Sequence, residues 1–305
     1  MIFKKTLTSK TGLFLLGTSV LIALGAMAFA TPRVRAYADK QADRIWTKLY
    51  TWDLADEIEA RRADMQRFYN KRTRSGAEAL IAHGGGVGEF TYTNSLEAVQ
   101  DSLNRGFQFI ELDLQKTVDG HIVAIHEWPQ FAQMTSKSTE EVQNMTLSEL
   151  KKLKIQGKYT VLGGDDIRQL MEEYPQFILV TDKLQDFELM LREIPFPDRM
   201  IVECFGRVNY KKALCAGIKY PAFSSWQDTG EIEQFRFPLV VMSAYAMEDE
   251  QNAAKVRKLH EEGTTILMFW ASICDRPEFI QKHLSSSISK IYTDTWSPAP
   301  KQEQD

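Results

Sequence analysis

An acidic pair stands at strand spacing in this chain. Glu111 and Asp113 lie two apart in Phe109-Ile110-Glu111-Leu112-Asp113-Leu114, and side chains at i and i+2 on a strand share a face. Two carboxylates on one face of a buried strand repel each other and are costly to desolvate. A bound cation relieves both costs, and all-oxygen ligation suits Mg²⁺ or Ca²⁺ rather than Zn²⁺. For the pair alone, one carboxylate capping a helix and the other in water is an equal alternative. Two histidines shift the balance. His83 ends Leu80-Ile81-Ala82-His83, and His126 ends Ile122-Val123-Ala124-Ile125-His126, one before and one after the acidic run. A single histidine after an apolar run is more often a satisfied core residue. Two of them flanking a carboxylate pair make a constellation for general acid–base catalysis beside a metal.

Further candidates end later apolar runs. Asp182 closes Phe177-Ile178-Leu179-Val180-Thr181-Asp182 and completes a ligand set of Glu111, Asp113 and Asp182. Lys183 either reaches a phosphate oxygen or pairs with Asp186. Glu203, within 200–205, is a polar group inside the fold, or the third ligand if Asp182 points away. Trp270 packs an apolar or glycerol-like part of a substrate, or it fills core. Gly84-Gly85-Gly86 lets backbone approach a ligand closely, although by itself it is weak evidence for a phosphate loop.

The order of these motifs carries a resemblance. His83 followed by glycines, Asn94-Ser95-Leu96-Glu97-Ala98, Ile110-Glu111-Leu112-Asp113, Thr117-Val118-Asp119-Gly120 and Val123-Ala124-Ile125-His126 together resemble the glycerophosphodiester phosphodiesterase family. The likeness covers residues 79–296 and is most specific at its start. It implies a TIM (β/α)8 barrel that cleaves phosphodiesters with a divalent cation, Mg²⁺ or Ca²⁺. It also implies attack by an adjacent substrate hydroxyl through a cyclic phosphate, followed by hydrolysis. His83 and His126 are then expected to be catalytic and Glu111, Asp113 and Asp182 to hold the metal, while Lys183, Glu203 and Trp270, from their places on or just past the strands, are expected to meet the substrate. There are departures. The common pattern places Arg after the first His, where this chain has Gly84, and Glu before the Asn, where it has Thr93. Its third strand carries Glu, a spacer and Lys; here Asp182 and Lys183 are adjacent. The form is similar to a divergent bacterial branch. Losing the arginine removes a bidentate phosphate donor, which bears on substrate identity more than on reaction type.

The elements that must position these residues are short apolar runs separated by helical patterns, which read as buried strands of a parallel sheet. Barrels of this class carry their chemistry at strand C-terminal ends. Strands are expected at 79–83, 107–114, 177–182, 200–205, near 222–223, and at 239–242, 265–270 and 290–293. A helix is expected over 94–104, with Asn94 as N-cap and Glu97 closing a capping box. Residues 115–163 are too long for a simple connection and form a small insertion after the second strand, with a strand at 122–126. The barrel is expected to span 77–300.

The chain has 305 residues, 44% hydrophobic and 26% charged, with a formal charge of −4. This is ordinary globular composition, and a barrel of about 250 residues leaves room for an N-terminal extension. No basic excess points to nucleic acid. Lys4, Lys5 and Lys10 precede an apolar run from Leu13 to Ala30 that ends Ala28-Phe29-Ala30. That pattern is a signal peptide or a retained N-terminal anchor over 1–30, and either way the catalytic part is exported, to a periplasmic or extracytoplasmic place. Residues 31–76 repeat apolar positions at three- and four-residue steps, which predicts a helical extension or stalk. Its Arg61-Arg62 and Lys71-Arg72-x-Arg74 clusters form a solvated face more readily than a contact with anionic lipid. Cys204, Cys215 and Cys274 are expected as buried free thiols, and His121, His260 and His283 as surface residues.

The expected function is metal-dependent hydrolysis of a small-molecule or lipid-derived phosphodiester, giving sn-glycerol 3-phosphate and an alcohol. Possible membrane contact is confined to the N-terminus. Two other readings remain. One is a non-catalytic envelope protein that keeps the barrel to bind phosphate or glycan, prompted by the absent arginine. The other is a phospholipase-type lyase on lipid head groups, prompted by the N-terminal segment.

Overall fold

The computed structural model describes residues 32–70, 79–284 and 286–298. They fall into two units, divided after Trp52. In the first, helix α1 (Pro32–Tyr50) stacks Trp46 on Tyr50 at 5.1 Å, and the Thr51 hydroxyl closes its end on the Thr47 carbonyl at 2.7 Å. The apolar run 13–30 and the cluster at 71–74 lie outside the described residues. Among the described residues, no helix is long and apolar enough to cross a membrane.

The second unit is a closed barrel. Its eight parallel strands are β1 (Leu80–Ala82), β2 (Phe109–Lys116), β6 (Ile178–Asp182), β7 (Met200–Phe205), β8 (Tyr220–Ser225), β9 (Leu239–Ser243), β10 (Thr265–Phe269) and β11 (Lys290–Thr293). They neighbour one another in that order, and β1 pairs with both β2 and β11 to close the ring. Strands buried on both faces need apolar side chains on both. The five residues of β9, Leu-Val-Val-Met-Ser, are accordingly all buried. Helices return the chain outside the ring and bury one stripe each, as α11 (Glu250–Glu261) does with Ala253, Val256 and Leu259. Helix α2 (Leu54–Asn70) closes the end where the strands begin. It buries Leu54, Ile58 and Met65, and stacks Phe68 on Tyr220 at 3.7 Å. Its Arg61 and Arg62 pair with Glu57 and Glu59.

Strand β3 (Ile122–Ala124) folds back antiparallel on the end of β2, with Leu114 opposite Ala124. After it comes the insertion: helices α4 (Trp128–Met134), α5 (Thr139–Gln143) and α6 (Leu147–Leu150), then the hairpin β4 (Lys154–Ile155) and β5 (Tyr159–Thr160). Its core is its own, built on Ile125, Phe131, Val142, Leu150 and Ile155.

Several expectations are corrected. Helix α3 (Leu96–Asn104) is capped by Ser95, whose hydroxyl accepts from the Ala98 N–H at 3.2 Å, not by Asn94. Asn94 sits at φ +50°, one residue too early, and is used elsewhere. Glu97 closes no box; it accepts from the N–H and hydroxyl of Thr160 at 2.8 and 2.7 Å. Cys204 and Cys274 are buried free thiols, but Cys215 is exposed, on the solvent side of α9 (Arg207–Ala216). His121 is at the surface on Glu193 at 2.9 Å. His283 is buried, its ring 4.9 Å from Phe279, because the helix Pro277–His283 turns that face inward.

Candidate active site

The mouth at the strand C-terminal ends holds a cavity of about 420 Å³, a size suited to a small ligand. His83, Glu111, Asp113, His126, Asp182, Lys183, Glu203 and Trp270 all line it. Strand β2 carries Glu111 and Asp113 inward, as the two-residue period requires, while Leu112 and Leu114 are buried on the outside. Asp113 and Asp182 are register partners across β2 and β6. Oxygens of Glu111, Asp113 and Asp182 come within 4.8 Å of one another.

Each carboxylate of the pair is held by one oxygen. The Gly84 N–H donates to Glu111 at 2.8 Å. The Asn94 amide donates to Asp113 at 2.9 Å, and its carbonyl accepts the Asp113 N–H at 3.0 Å. One buried oxygen of Asp182 has no hydrogen-bond partner. Burial, then the charges of Asp113 and Asp182, push Glu111 well above the usual carboxylate range. Burial, then Glu203 and Asp113, do the same to Asp182. A cluster of crowded carboxylates with an orphaned oxygen fits a divalent cation by its donor chemistry, so these three are the residues that would hold one. Glu203 stands apart from the trio. It accepts the Tyr292 hydroxyl at 2.6 Å and the Ser224 hydroxyl at 3.2 Å. Burial raises it to about 7, although those two donors pull the other way.

The histidines flank this acid group. His83 presents Nδ1 to Asp294 at 2.9 Å. Asp294 accepts when ionised, so it fixes the tautomer with Nε2 free. His126 follows β3, where the Ile125 N–H bonds the Asp113 carbonyl at 2.8 Å. Its Nδ1 meets the Gln130 side-chain oxygen at 2.8 Å. The Tyr92 ring lies between them, edge-on, 4.5 Å from His83 and 5.1 Å from His126. Its phenol is raised by burial and by Asp294, Asp113 and Glu111, so it stays protonated. Lys183 does not pair with Asp186, which caps the following helix and binds Lys116 at 2.9 Å. It lies 3.6 Å from Asp113. Burial pulls its ammonium down, but Asp182, Asp113 and Glu111 outweigh that and leave it raised.

Of the seven non-glycine residues at positive φ among the described residues, four are here: Tyr92, Asn94, Lys183 and Trp270. Backbone strain of this kind gathers where side chains must be aimed. The position after His83 is closed to any other residue for the same reason. Gly84 has φ +55°, and a Cβ on it would stand 2.8 Å from the Tyr92 Cα.

Sequence reasoning missed Asp294, Tyr92 and the clamp by Asn94. Asp294 follows β11 as the polar residue at a strand end, the same signal that marked Asp182. The other two depend on local backbone shape and left no periodic trace.

Three comparisons bear on this geometry. The model of the glycerophosphoryl diester phosphodiesterase family matches residues 83–268. A glycerophosphodiester phosphodiesterase of Caldanaerobacter subterraneus subsp. tengcongensis is 29% identical over 138 residues, 44% of this chain and 54% of that relative. The chain thus matches about half the length of that protein. Among solved structures, a glycerophosphoryl diester phosphodiesterase from Parabacteroides distasonis has a TM-score of 0.60 at 16% identity, covering 77% of this chain and 88% of the other. A glycerophosphodiester phosphodiesterase from Thermotoga maritima has 0.56 at 20%, covering 71% and 94%. A phosphodiesterase from Oleispira antarctica, solved in complex with the product sn-glycerol-3-phosphate, has 0.56 at 14%, covering 70% and 92%. At these identities the solved structures speak for the fold alone.

Proposed function

Because the chain belongs to the glycerophosphoryl diester phosphodiesterase family, we propose that it hydrolyses glycerophosphodiester-type substrates to sn-glycerol 3-phosphate and an alcohol, with His83 and His126 as the acid–base pair. The observation that carries this reading is the shared cavity: two histidines, each fixed through Nδ1, stand beside a trio of crowded carboxylates and a lysine. Glu111, Asp113 and Asp182 would hold a divalent cation, which when bound would supply Lewis-acid stabilisation of charge developing on the phosphate. The chain's own groups do the rest. One histidine takes the proton of the substrate hydroxyl next to the phosphate as that oxygen forms its bond to phosphorus. The other gives its proton to the departing alcohol oxygen. Water then opens the cyclic phosphate with the two roles exchanged. Lys183 and the protonated Tyr92 hydroxyl donate to non-bridging oxygens, the work that an arginine after His83 has no room to do. Glu203 holds Tyr292 and, through it, the wall beside His83, whose ring stands 5.8 Å from that tyrosine. Trp270 meets the substrate outside the charged trio.

Export belongs to the same proposal. Lys4, Lys5, Lys10 and the apolar run to Ala28-Phe29-Ala30 support it, and cell fractionation tests it.

The test of function is incubation with glycerophosphoethanolamine, in EDTA or with Mg²⁺ or Ca²⁺. Release of sn-glycerol 3-phosphate that stops in EDTA is expected. Phosphate binding without turnover supports the non-catalytic reading, and a product arrested at the cyclic phosphate supports the lyase.

A further inference from the structure

The cavity has two unlike halves. The carboxylates, histidines and lysine come from β1, β2, β3, β6, β7 and β11 or the turns after them. Across the ring, β8 and β10 supply Trp226, Phe269 and Trp270, and Phe205 at the end of β7 joins them. Among the described lining residues, none that follows from β8 to β10 is charged.

These aromatics are presented, not stored. Phe205 is 50% exposed, Trp226 53% and Trp270 38%. The Trp226 ring meets Trp270 edge-on at 5.3 Å and Phe269 at 5.5 Å, so the rings brace one another into a fixed wall. Trp270 is held there against its backbone preference, at φ +89° and ψ +73°. Its carbonyl takes the N–H groups of Ile273 and Cys274 at 2.9 and 3.0 Å. A contiguous apolar face left in water and continuous with a reactive cavity marks a binding surface. Its breadth decides the occupant. Aromatic faces also attract a quaternary ammonium, but such a head is compact, whereas the wall runs from β7 past β8 to β10. A flexible hydrocarbon can cover all of it.

Resting on the diesterase reading above, we infer that this site takes amphiphilic phosphodiesters, with the phosphate among the charged groups and one hydrocarbon chain laid along Phe205, Trp226 and Trp270.

Binding of alkyl phosphates tests the wall without requiring turnover. Methyl, butyl and octyl phosphate, below their micelle concentrations, are titrated calorimetrically into the full-length protein at fixed Mg²⁺ or Ca²⁺. A chain half-buried against the wall gains roughly twofold per methylene, hence roughly a hundredfold between methyl and octyl phosphate. In the double variant Phe205→Ala, Trp226→Ala that dependence should flatten to about threefold or less. Equal affinities across the series overturn the inference. So does a chain-length dependence that survives the double variant, which would place the chain elsewhere, or tighter binding of choline phosphate than of octyl phosphate. Turnover separates this claim from the one it rests on. With the chain-length series intact but neither a single-chain phosphodiester nor glycerophosphoethanolamine cleaved, the wall stands and the diesterase reading fails. With both cleaved and no chain-length dependence, the reverse holds.

Discussion

Stripping divalent ions should lower the stability of the folded protein, and neutralising the carboxylates should abolish that loss. The oxygens of Glu111, Asp113 and Asp182 come within 4.8 Å of one another. Two full charges at such a distance repel by about 3–4 kcal/mol at an effective dielectric of about 20. The ion-free protein avoids this by keeping protons on the cluster, as the raised positions of Glu111 and Asp182 indicate. The protons belong to the group as a whole. A cation must displace them, so its affinity rises with pH. At a hundredfold excess over Kd, binding adds about 2.7 kcal/mol. For a domain of this size that raises Tm by about 5–10 °C. The assay is a set of melting curves in EDTA, Mg²⁺ and Ca²⁺ at pH 6 and 8. The increment should be larger at pH 8. With Glu111→Gln and Asp113→Asn together it should vanish, while the ion-free variant melts no lower than the ion-free parent. A parent Tm that ignores both ions at millimolar levels refutes the metal site, as does a double variant that keeps the full increment.

Other substitutions probe single contacts. Tyr92→Phe keeps the ring between the histidines and removes one donor to a charged oxygen, so kcat/KM should fall about 10–100-fold with Tm little changed; unchanged kinetics would discount the hydroxyl. Gly84→Arg restores the common residue at a position where its Cβ meets the Tyr92 Cα at 2.8 Å; urea midpoints should show a loss of about 2–4 kcal/mol and assays no gain in activity. Glu203 is raised from 4.5 to about 7. The folded state therefore holds its proton more tightly, and stability present below pH 4.5 is lost as pH climbs to 7, about 3 kcal/mol in all. In EDTA, Glu203→Gln should remove that part of the decline between pH 5 and 7.5, and an unaltered decline would assign it to other groups.

What the sequence disclosed follows period and position. The spacing of Glu111 and Asp113 works because a strand alternates strictly, and β2 is a strand there. His83, Asp182 and Trp270 were found because each stands just past an apolar run, where a barrel opens. The eight strands were visible for a related reason: runs buried on both faces are apolar throughout. What stayed hidden depends on turns and on distant partners. Asn94 looked like a helix cap until its φ of +50° placed it against Asp113, with Ser95 taking the cap. Asp294 reaches His83 across 211 positions, a pairing set by ring closure through β1 and β11. The choice of partner for Lys183 turned on Lys116, which claims Asp186 first. The aromatic wall is likewise assembled from three strands that are separate in the chain.

The central claim is that His83 and His126 exchange protons with a glycerophosphodiester. Steady-state release of sn-glycerol 3-phosphate from glycerophosphoethanolamine tests it most directly, comparing the parent protein with His83→Ala and His126→Ala in the same divalent ion and with melting curves confirming that each variant is folded. Each substitution should lower turnover roughly 10²–10⁴-fold, about 3–5 kcal/mol. Near-parental activity in both folded variants would contradict the account.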